Sequence, residues 1–282
     1  MKYEKLHLKD YFPFLGENAC DPTVEVYLPY NMTEMKRQDN KRPCMVVCPG
    51  GGYSMCSQRE SEPIAFHFLP EGYNVFVITY STSPNRFPTQ IREVAALMEL
   101  IYSKSEEWNC DTERILICGF SAGGHLAAHY STMFDCKEVR EVFPESKAVN
   151  GSVLCYPVIT ADPNYSHRGS FINLTGRETP TEEDINYFSC DRNVKESTPP
   201  AFIWHTASDG AVPVMNSFLY ASALNKFKIP FELHIYPFGN HGLSTSDAQT
   251  VDNTDGNATL SHVNEWLGSL KKWLKLMNFT NK

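Results

Sequence analysis

Short runs of apolar, β-branched residues alternate along the chain with stretches of helical spacing. That is the pattern of an α/β protein with a mostly parallel sheet flanked by helices. Thr23–Leu28 alternates as an edge strand would. Met45–Cys48 is a buried run ending at Pro49 and three glycines, and Val75–Tyr80 is continuously apolar, as suits a strand covered on both faces. From Thr89 to Trp108 the spacing is helical, with Ile91, Val94, Ala95, Met98 and Ile101 on one stripe. Arg114–Gly119 reads as a strand that turns sharply at Ser121 into a helix through Leu126, Ala127 and Tyr130. Val153–Val158, Phe202–Thr206 and Phe231–Tyr236 read as further strands, Val214–Phe227 and Leu260–Met277 as helices, and Gly239–Gly256 as a loop. Ile159–Pro200 is polar, contains several prolines and lacks strong periodicity, so it is expected to be a lid or binding insertion after the strand near 153–158. With no repeat and no linker between two cores, the expectation is one domain over residues 1–282.

Four local patterns carry chemistry. Gly119-Phe120-Ser121-Ala122-Gly123 falls where a strand meets a helix. Such a turn projects the serine Oγ above the sheet edge, and glycines two residues to either side let strand and helix approach without a Cβ clash. The helix that begins there aims its N–H groups and positive dipole end at developing negative charge. Upstream, Pro49-Gly50-Gly51-Gly52-Tyr53 follows a buried strand. A tetrahedral intermediate needs backbone donors at its oxyanion, each worth about 3 kcal/mol, and Gly51, Gly52 and Ala122 are the candidates. The Gly-Lys-Ser/Thr ending of a phosphate loop is missing.

A serine nucleophile also needs a general base and an orienting carboxylate, following it in the order Ser, Asp/Glu, His. His125 and His129 lie on the helix leaving the serine, His205 and His234 inside expected strands, and His262 on the last helix. His241, in Phe238-Gly239-Asn240-His241-Gly242, follows a strand in a glycine-flexible loop and best fits the base, with His167 in the insertion next. Asp209, in the loop after Phe202–Thr206, best fits the acid, with Asp162 as competitor. Asp209-Gly210 before Pro213 is also ordinary turn and helix-cap chemistry, and both roles are compatible.

Composition narrows the partners. A net charge of −8 argues against nucleic acid, because phosphate neutralisation needs a Lys/Arg-rich surface. No apolar run has the length of a membrane span. The nine cysteines are odd in number, include no Cys-x-x-Cys pair and fall partly in apolar runs. They are expected to be reduced thiols in a cytoplasmic protein, and the chain opens without a secretory h-region. Asn173-Leu174-Thr175 is then a chance sequon. No metal or cofactor is implied.

Taken together, Cys48-Pro49-Gly50-Gly51-Gly52-Tyr53, Gly119-Phe120-Ser121-Ala122-Gly123-Gly124-His125-Leu126, Asp209 with Val212-Pro213, and Gly239-Asn240-His241-Gly242 resemble the esterase/lipase branch of the α/β-hydrolases. The chain is most similar to the acetyl-esterase members labelled xylan-esterase or feruloyl-esterase-like, from about Thr23 onward. The resemblance implies Ser121, Asp209 and His241 as triad, with Gly51, Gly52 and Ala122 as oxyanion donors. Pro49 stands where many hormone-sensitive-lipase relatives open the glycine loop with His, which places the chain nearer the acetyl esterases. The expected function is hydrolysis of short acyl esters, acetyl esters of sugars or oligosaccharides, through an acyl-enzyme. Tyr53 and, among the insertion aromatics (Tyr165, Phe171, Tyr187, Phe188), Phe171 are candidate substrate contacts. The alternatives are an arylformamidase- or peptidase-like amide hydrolase and a non-catalytic binding protein on the same fold. The expected partner is a small ester such as an acetylated sugar, with no nucleic acid and no membrane, and the oligomeric state is open.

Overall fold

The computed structural model describes residues 1–17, 20–251 and 260–280. Its strands are β1 (Lys2–His7), β2 (Thr23–Leu28), β3 (Arg42–Cys48), β4 (Asn74–Thr79), β5 (Cys110–Phe120), β6 (Gly151–Cys155), β7 (Ala201–Thr206) and β8 (Phe231–Tyr236). Its helices are α1 (Glu62–Phe68), α2 (Thr89–Ser103), α3 (Ser121–Met133), α4 (Lys137–Arg140), α5 (Arg168–Thr175), α6 (Glu182–Phe188), α7 (Met215–Lys226) and α8 (Ser261–Leu276). The strands form one sheet in the order β1-β2-β4-β3-β5-β6-β7-β8. β2 is antiparallel to both β1 and β4, and every pairing from β4 to β8 is parallel. This is the α/β-hydrolase fold.

Period-two alternation divides the core into two layers. Cys44, Val46, Phe76, Ile78, Ile115 and Ile117 face one side, where α2, α3 and α7 pack through Ile91, Val94, Leu126, Ala127, Tyr220 and Leu224. Met45, Val47, Val75, Val77, Leu116 and Cys118 face the other, under Ile64 and Phe68 of α1 and Val263, Trp266 and Leu270 of α8. Trp204 stacks on Trp266 at 5.2 Å between ring centroids, closing that second layer. Coverage on both faces explains why these strands read as continuous apolar runs.

Three expectations are corrected here. Thr23–Leu28 is a strand but not the edge: β1 pairs along its whole length, from Lys2 opposite Leu28 to His7 opposite Thr23. The segment 159–200 is not irregular, because it contains α5 and α6. The helix expected to run to Trp108 ends at Ser103, and Trp108 is buried beside Phe76. Residues 252–256 of the expected 239–256 loop lie outside the described residues.

The topology also gathers the site. In a parallel sheet the loops leaving the C-terminal strand ends share one rim. Reading across β3, β5, β6, β7 and β8, those loops carry the glycine run, Ser121, Tyr156, Asp209 and His241 in that order.

Candidate active site

Ser121 sits at the junction of β5 and α3 with φ 53°, a left-handed conformation costly for a side chain with a Cβ. Two glycines make that turn sterically possible. A Cβ on Gly119 would lie 2.2 Å from the Gly123 carbonyl oxygen, and one on Gly123 would lie 2.1 Å from the Cys48 carbonyl oxygen. Both obstacles are backbone, so neither can step aside. Gly123→Ala is therefore expected to cost roughly 3 kcal/mol or more of stability. Thermal denaturation reads this directly, and an unchanged Tm would contradict the packing described.

The glycine loop lies against Ser121. A Cβ on Gly50 would stand 2.9 Å from the Ser121 Cβ and 2.8 Å from the Phe120 carbonyl oxygen. Gly51 (φ 123°) and Gly52 (φ 64°) take conformations that favour glycine. Among the described residues neither glycine N–H finds an acceptor, while the N–H groups of the first turn of α3, Ala122 among them, have no intrahelical partner. Asn173 of α5 donates its Nδ2–H to the Gly52 carbonyl at 2.8 Å, so the insertion pins the loop from above.

Asp209 and His241 complete a continuous chain of hydrogen bonds with Ser121. His241 Nδ1 is 2.6 Å from Asp209 Oδ2, and His241 Nε2 is 2.7 Å from Ser121 Oγ. An ionised carboxylate only accepts, so the Nδ1 proton belongs to that bond and Nε2 is left to accept the serine proton. The Asp209 side chain is 0% exposed and His241 is 21% exposed, so the carboxylate is sealed while the imidazole edge remains reachable. Burial would raise the Asp209 carboxyl, but hydrogen bonds from His205, His241 and the Val212 N–H and the nearby His241 charge hold it well below the usual carboxylate range. Asp209 Oδ1 accepts the N–H groups of Ala211 and Val212, both at 2.9 Å, so its turn role and its site role coexist.

His205 adds a second donor behind the acid. Its Nε2 lies 3.0 Å from the Val212 carbonyl oxygen and 3.2 Å from Asp209 Oδ2, and its Nδ1 lies 2.8 Å from Ser217 Oγ. Because the carbonyl only accepts, the proton is on Nε2 and Ser217 donates to Nδ1. The strand pattern pointed to an ordinary core histidine here, and only the fold shows that it orients Asp209.

The other sequence candidates fall into place around this chain. Asp162 accepts from the Asn164 N–H and lies 3.8 Å from Arg192, apart from His241. His167 is hydrogen-bonded to Ser170 at 2.8 Å, and its Cε1 would be 3.9 Å from a Cβ on Gly52, at the lip of the glycine loop. Burial first, then the neighbouring His241, pushes the His167 imidazole down from its usual value.

Tyr53, expected to meet substrate, is instead fully buried. Its hydroxyl donates to His125 Nδ1 at 2.8 Å while His125 Nε2–H donates to the Phe188 carbonyl. Its ring packs edge-on against Tyr80 and His125. Phe171 lies in the insertion, edge-on to His125, and lines a cavity of about 270 Å³ with Arg168, Ile172, Arg177, Asp184 and Phe188. Ser121, Asp209 and His241 do not line that cavity. Tyr187 packs on Phe87 and Phe188 and donates to Glu138, so it serves packing. Among the described residues no His/Cys/Asp/Glu group has the makings of a metal site, and no helix is long and apolar enough to cross a membrane.

The BD-FAE family model matches residues 25–224. Among curated proteins, the chain is 37% identical over 238 residues to an endo-1,4-beta-xylanase B of Butyrivibrio fibrisolvens, covering 82% of this chain and 37% of that protein. It is 35% identical over 202 residues to an acetylxylan esterase of Xylanibacter ruminicola, covering 70% of this chain and 40% of that one. The chain thus spans about two fifths of the length of these relatives. Among solved structures, an acetyl ester-xyloside bifunctional hydrolase from Caldicellulosiruptor lactoaceticus superposes with a TM-score of 0.82 at 32% identity, covering 99% of this chain and 97% of that one. The family model takes in the glycine loop, Ser121 and Asp209 and stops short of His241, which the fold then delivers to the same rim; the protein belongs to the BD-FAE family of α/β-hydrolases.

Proposed function

We propose that the protein is a serine carboxylester hydrolase that removes short acyl groups, chiefly acetyl, from sugar or oligosaccharide esters. The observation that carries this is the unbroken chain Ser121–His241–Asp209, with bonds of 2.7 and 2.6 Å. The acetylated-sugar substrate is supported by the acetylxylan esterase and the acetyl ester-xyloside hydrolase to which the chain is similar.

Ser121 Oγ attacks the ester carbonyl as its proton passes to His241 Nε2, and Asp209 stabilises the imidazolium that forms. The carbonyl oxygen, now an anion, is received by the N–H groups of Gly51, Gly52 and Ala122. Collapse of the tetrahedral intermediate breaks the bond to the alkoxy oxygen, which leaves as the sugar alcohol with the proton from His241. Water then adds to the acyl-serine, giving its proton to the same nitrogen; collapse of this second intermediate breaks the acyl–Oγ bond, His241 returns the proton to Ser121 Oγ, and the acid departs. We assign the alcohol portion to the insertion, whose His167 lies at the lip of the glycine loop. The nine free thiols, seven of them buried, fit a reducing, cytoplasmic compartment.

A fluorophosphonate probe is expected to label the protein, and acetate is expected to appear from acetylated xylo-oligosaccharides. Turnover of p-nitrophenyl acetate should exceed that of the octanoate ester by roughly tenfold or more in kcat/KM, the scale on which a pocket rejects extra methylenes. Absence of labelling removes the nucleophile from the reading. A profile rising toward long chains removes the short-acyl assignment.

A further inference from the structure

Glu60 lies ten residues beyond Gly50, at the end of a short 3₁₀ turn, and is only 3% exposed. A carboxylate so buried needs strong partners. Its Oε2 accepts the Gly50 N–H at 2.7 Å and its Oε1 accepts the Tyr156 hydroxyl at 2.6 Å. The Tyr156 oxygen in turn accepts the Ser244 N–H at 2.9 Å, which leaves its own single proton for Glu60. Tyr156 also presents its ring to His241, 5.0 Å between centroids. The adjoining Arg59 holds the same loop: its carbonyl accepts the Ser244 hydroxyl at 2.5 Å, and its guanidinium donates to the Gly242 carbonyl at 3.3 Å. One short segment therefore grips the loop that precedes it and the loop that carries the base, about 180 residues further on.

We propose that Glu60 is a positioning residue that registers the oxyanion loop, through Gly50, with the His241 loop, through Tyr156 and Ser244. The inference rests on the ester-hydrolase reading of the site. Two groups must be right at once in the transition state: the donors that meet the oxyanion and the imidazole that moves the proton. They sit on loops after β3 and β8, with β5, β6 and β7 between those strands in the sheet and no backbone hydrogen bond between the two loops among the described residues. Glu60 and Tyr156 supply the missing link. Burial pushes the Glu60 carboxyl up from its usual value, while the bonds from Tyr156 and Gly50 and the charges of His241 and Arg59 act against that rise. Both of its oxygens face donors, which is the arrangement of an acceptor and not of an acid.

The test is Glu60→Gln, Tyr156→Phe and the double variant, assayed on p-nitrophenyl acetate. Glutamine keeps the shape but turns one acceptor into an NH₂, which then faces either the Gly50 N–H or the Tyr156 O–H. Phenylalanine keeps the ring and removes only the hydroxyl. Each single change is expected to lower kcat about 10- to 100-fold with KM changed less than about threefold, because misplacement at this scale is felt in the transition state. The double variant should be no slower than the slower single one, since both changes cut the same link. A purely structural role would lower Tm and leave kcat per folded molecule unchanged, and that result overturns the proposal. So do multiplicative losses in the double variant. If Glu60→Gln does not fold, Tyr156→Phe decides alone, and wild-type kcat there overturns the link. A wild type with no Ser121-dependent turnover removes the hydrolase reading and this role with it; an active wild type with unaffected variants removes only the role of Glu60.

Discussion

Ser121→Ala is expected to abolish fluorophosphonate labelling and to lower kcat for p-nitrophenyl acetate about a million-fold, the cost of removing a triad nucleophile. The substitution deletes one oxygen and nothing else that the fold uses. Ser121 Oγ is held by His241 Nε2 alone among the described residues, and the backbone at φ 53° strains alanine as much as serine. The Tm is therefore expected to stay within a few degrees of wild type, as for a change that touches no core packing. Rate on folded protein, measured with purified variant and a parallel melt, separates lost chemistry from lost structure. Labelling that persists at wild-type level in Ser121→Ala would mean that another residue is the nucleophile.

The candidate site was legible in the sequence where its proposed chemistry is tied to local backbone. Ser121 needs a strand, a left-handed turn and small neighbours, and Gly119 and Gly123 are written beside it. His241 and Asp209 needed only a loop after a strand in the right order, which periodicity supplies. What could not be read is what depends on residues meeting across the fold. Glu60 is one carboxylate among 33 acidic residues until Gly50, Tyr156 and Ser244 close around it. His205 looks like any strand histidine until Asp209 folds back four residues to its Nε2. Asn173 reads as a chance sequon, and its amide instead holds Gly52. Tyr53 reads as a loop aromatic, and its ring is buried against Tyr80 and His125, contacts the sequence does not announce.

The fold shows the same division. Strands covered on both faces announce themselves as apolar runs, and β2 and β8 have the expected bounds. β1 escapes notice because Lys2–His7 is exposed or half-buried throughout, so it has no buried face to pattern, and its presence moves Thr23–Leu28 off the edge. α5 begins Arg168-Gly169-Ser170 and has little helical signal of its own. It is held by tertiary bonds, with the Arg86 guanidinium donating to the carbonyls of Ile172 and Asn173 near its end. α6 did carry a local signal. Thr181 and Asp184 form a reciprocal capping box, the Thr-x-x-acid pattern that opens a helix.

Asp209→Asn is expected to lower kcat about ten-thousandfold while leaving the protein folded, and the geometry says which way the amide must turn. Oδ1 receives two backbone N–H groups, from Ala211 and Val212. An NH₂ there would face two donors, so the asparagine oxygen must occupy that side. The NH₂ then takes the place of Oδ2, 2.6 Å from His241 Nδ1 and 3.2 Å from His205 Nε2. It donates to His241 Nδ1 and forces the imidazole proton onto Nε2, where it points at Ser121 and cannot accept the serine proton. The nucleophile stays in place but loses its base, and the imidazolium loses its counter-charge. His205 keeps the Val212 carbonyl at 3.0 Å, so the structural loss is limited to about 1–3 kcal/mol, one facing N–H pair without an acceptor. Asp162→Asn is the matched control. That carboxylate caps its own loop through Asn164 and lies outside the chain of bonds, so its kcat should stay within about twofold of wild type, as for a change away from the reacting groups. Activity above a tenth of wild type in Asp209→Asn, or a large loss in Asp162→Asn, would move the orienting role away from Asp209.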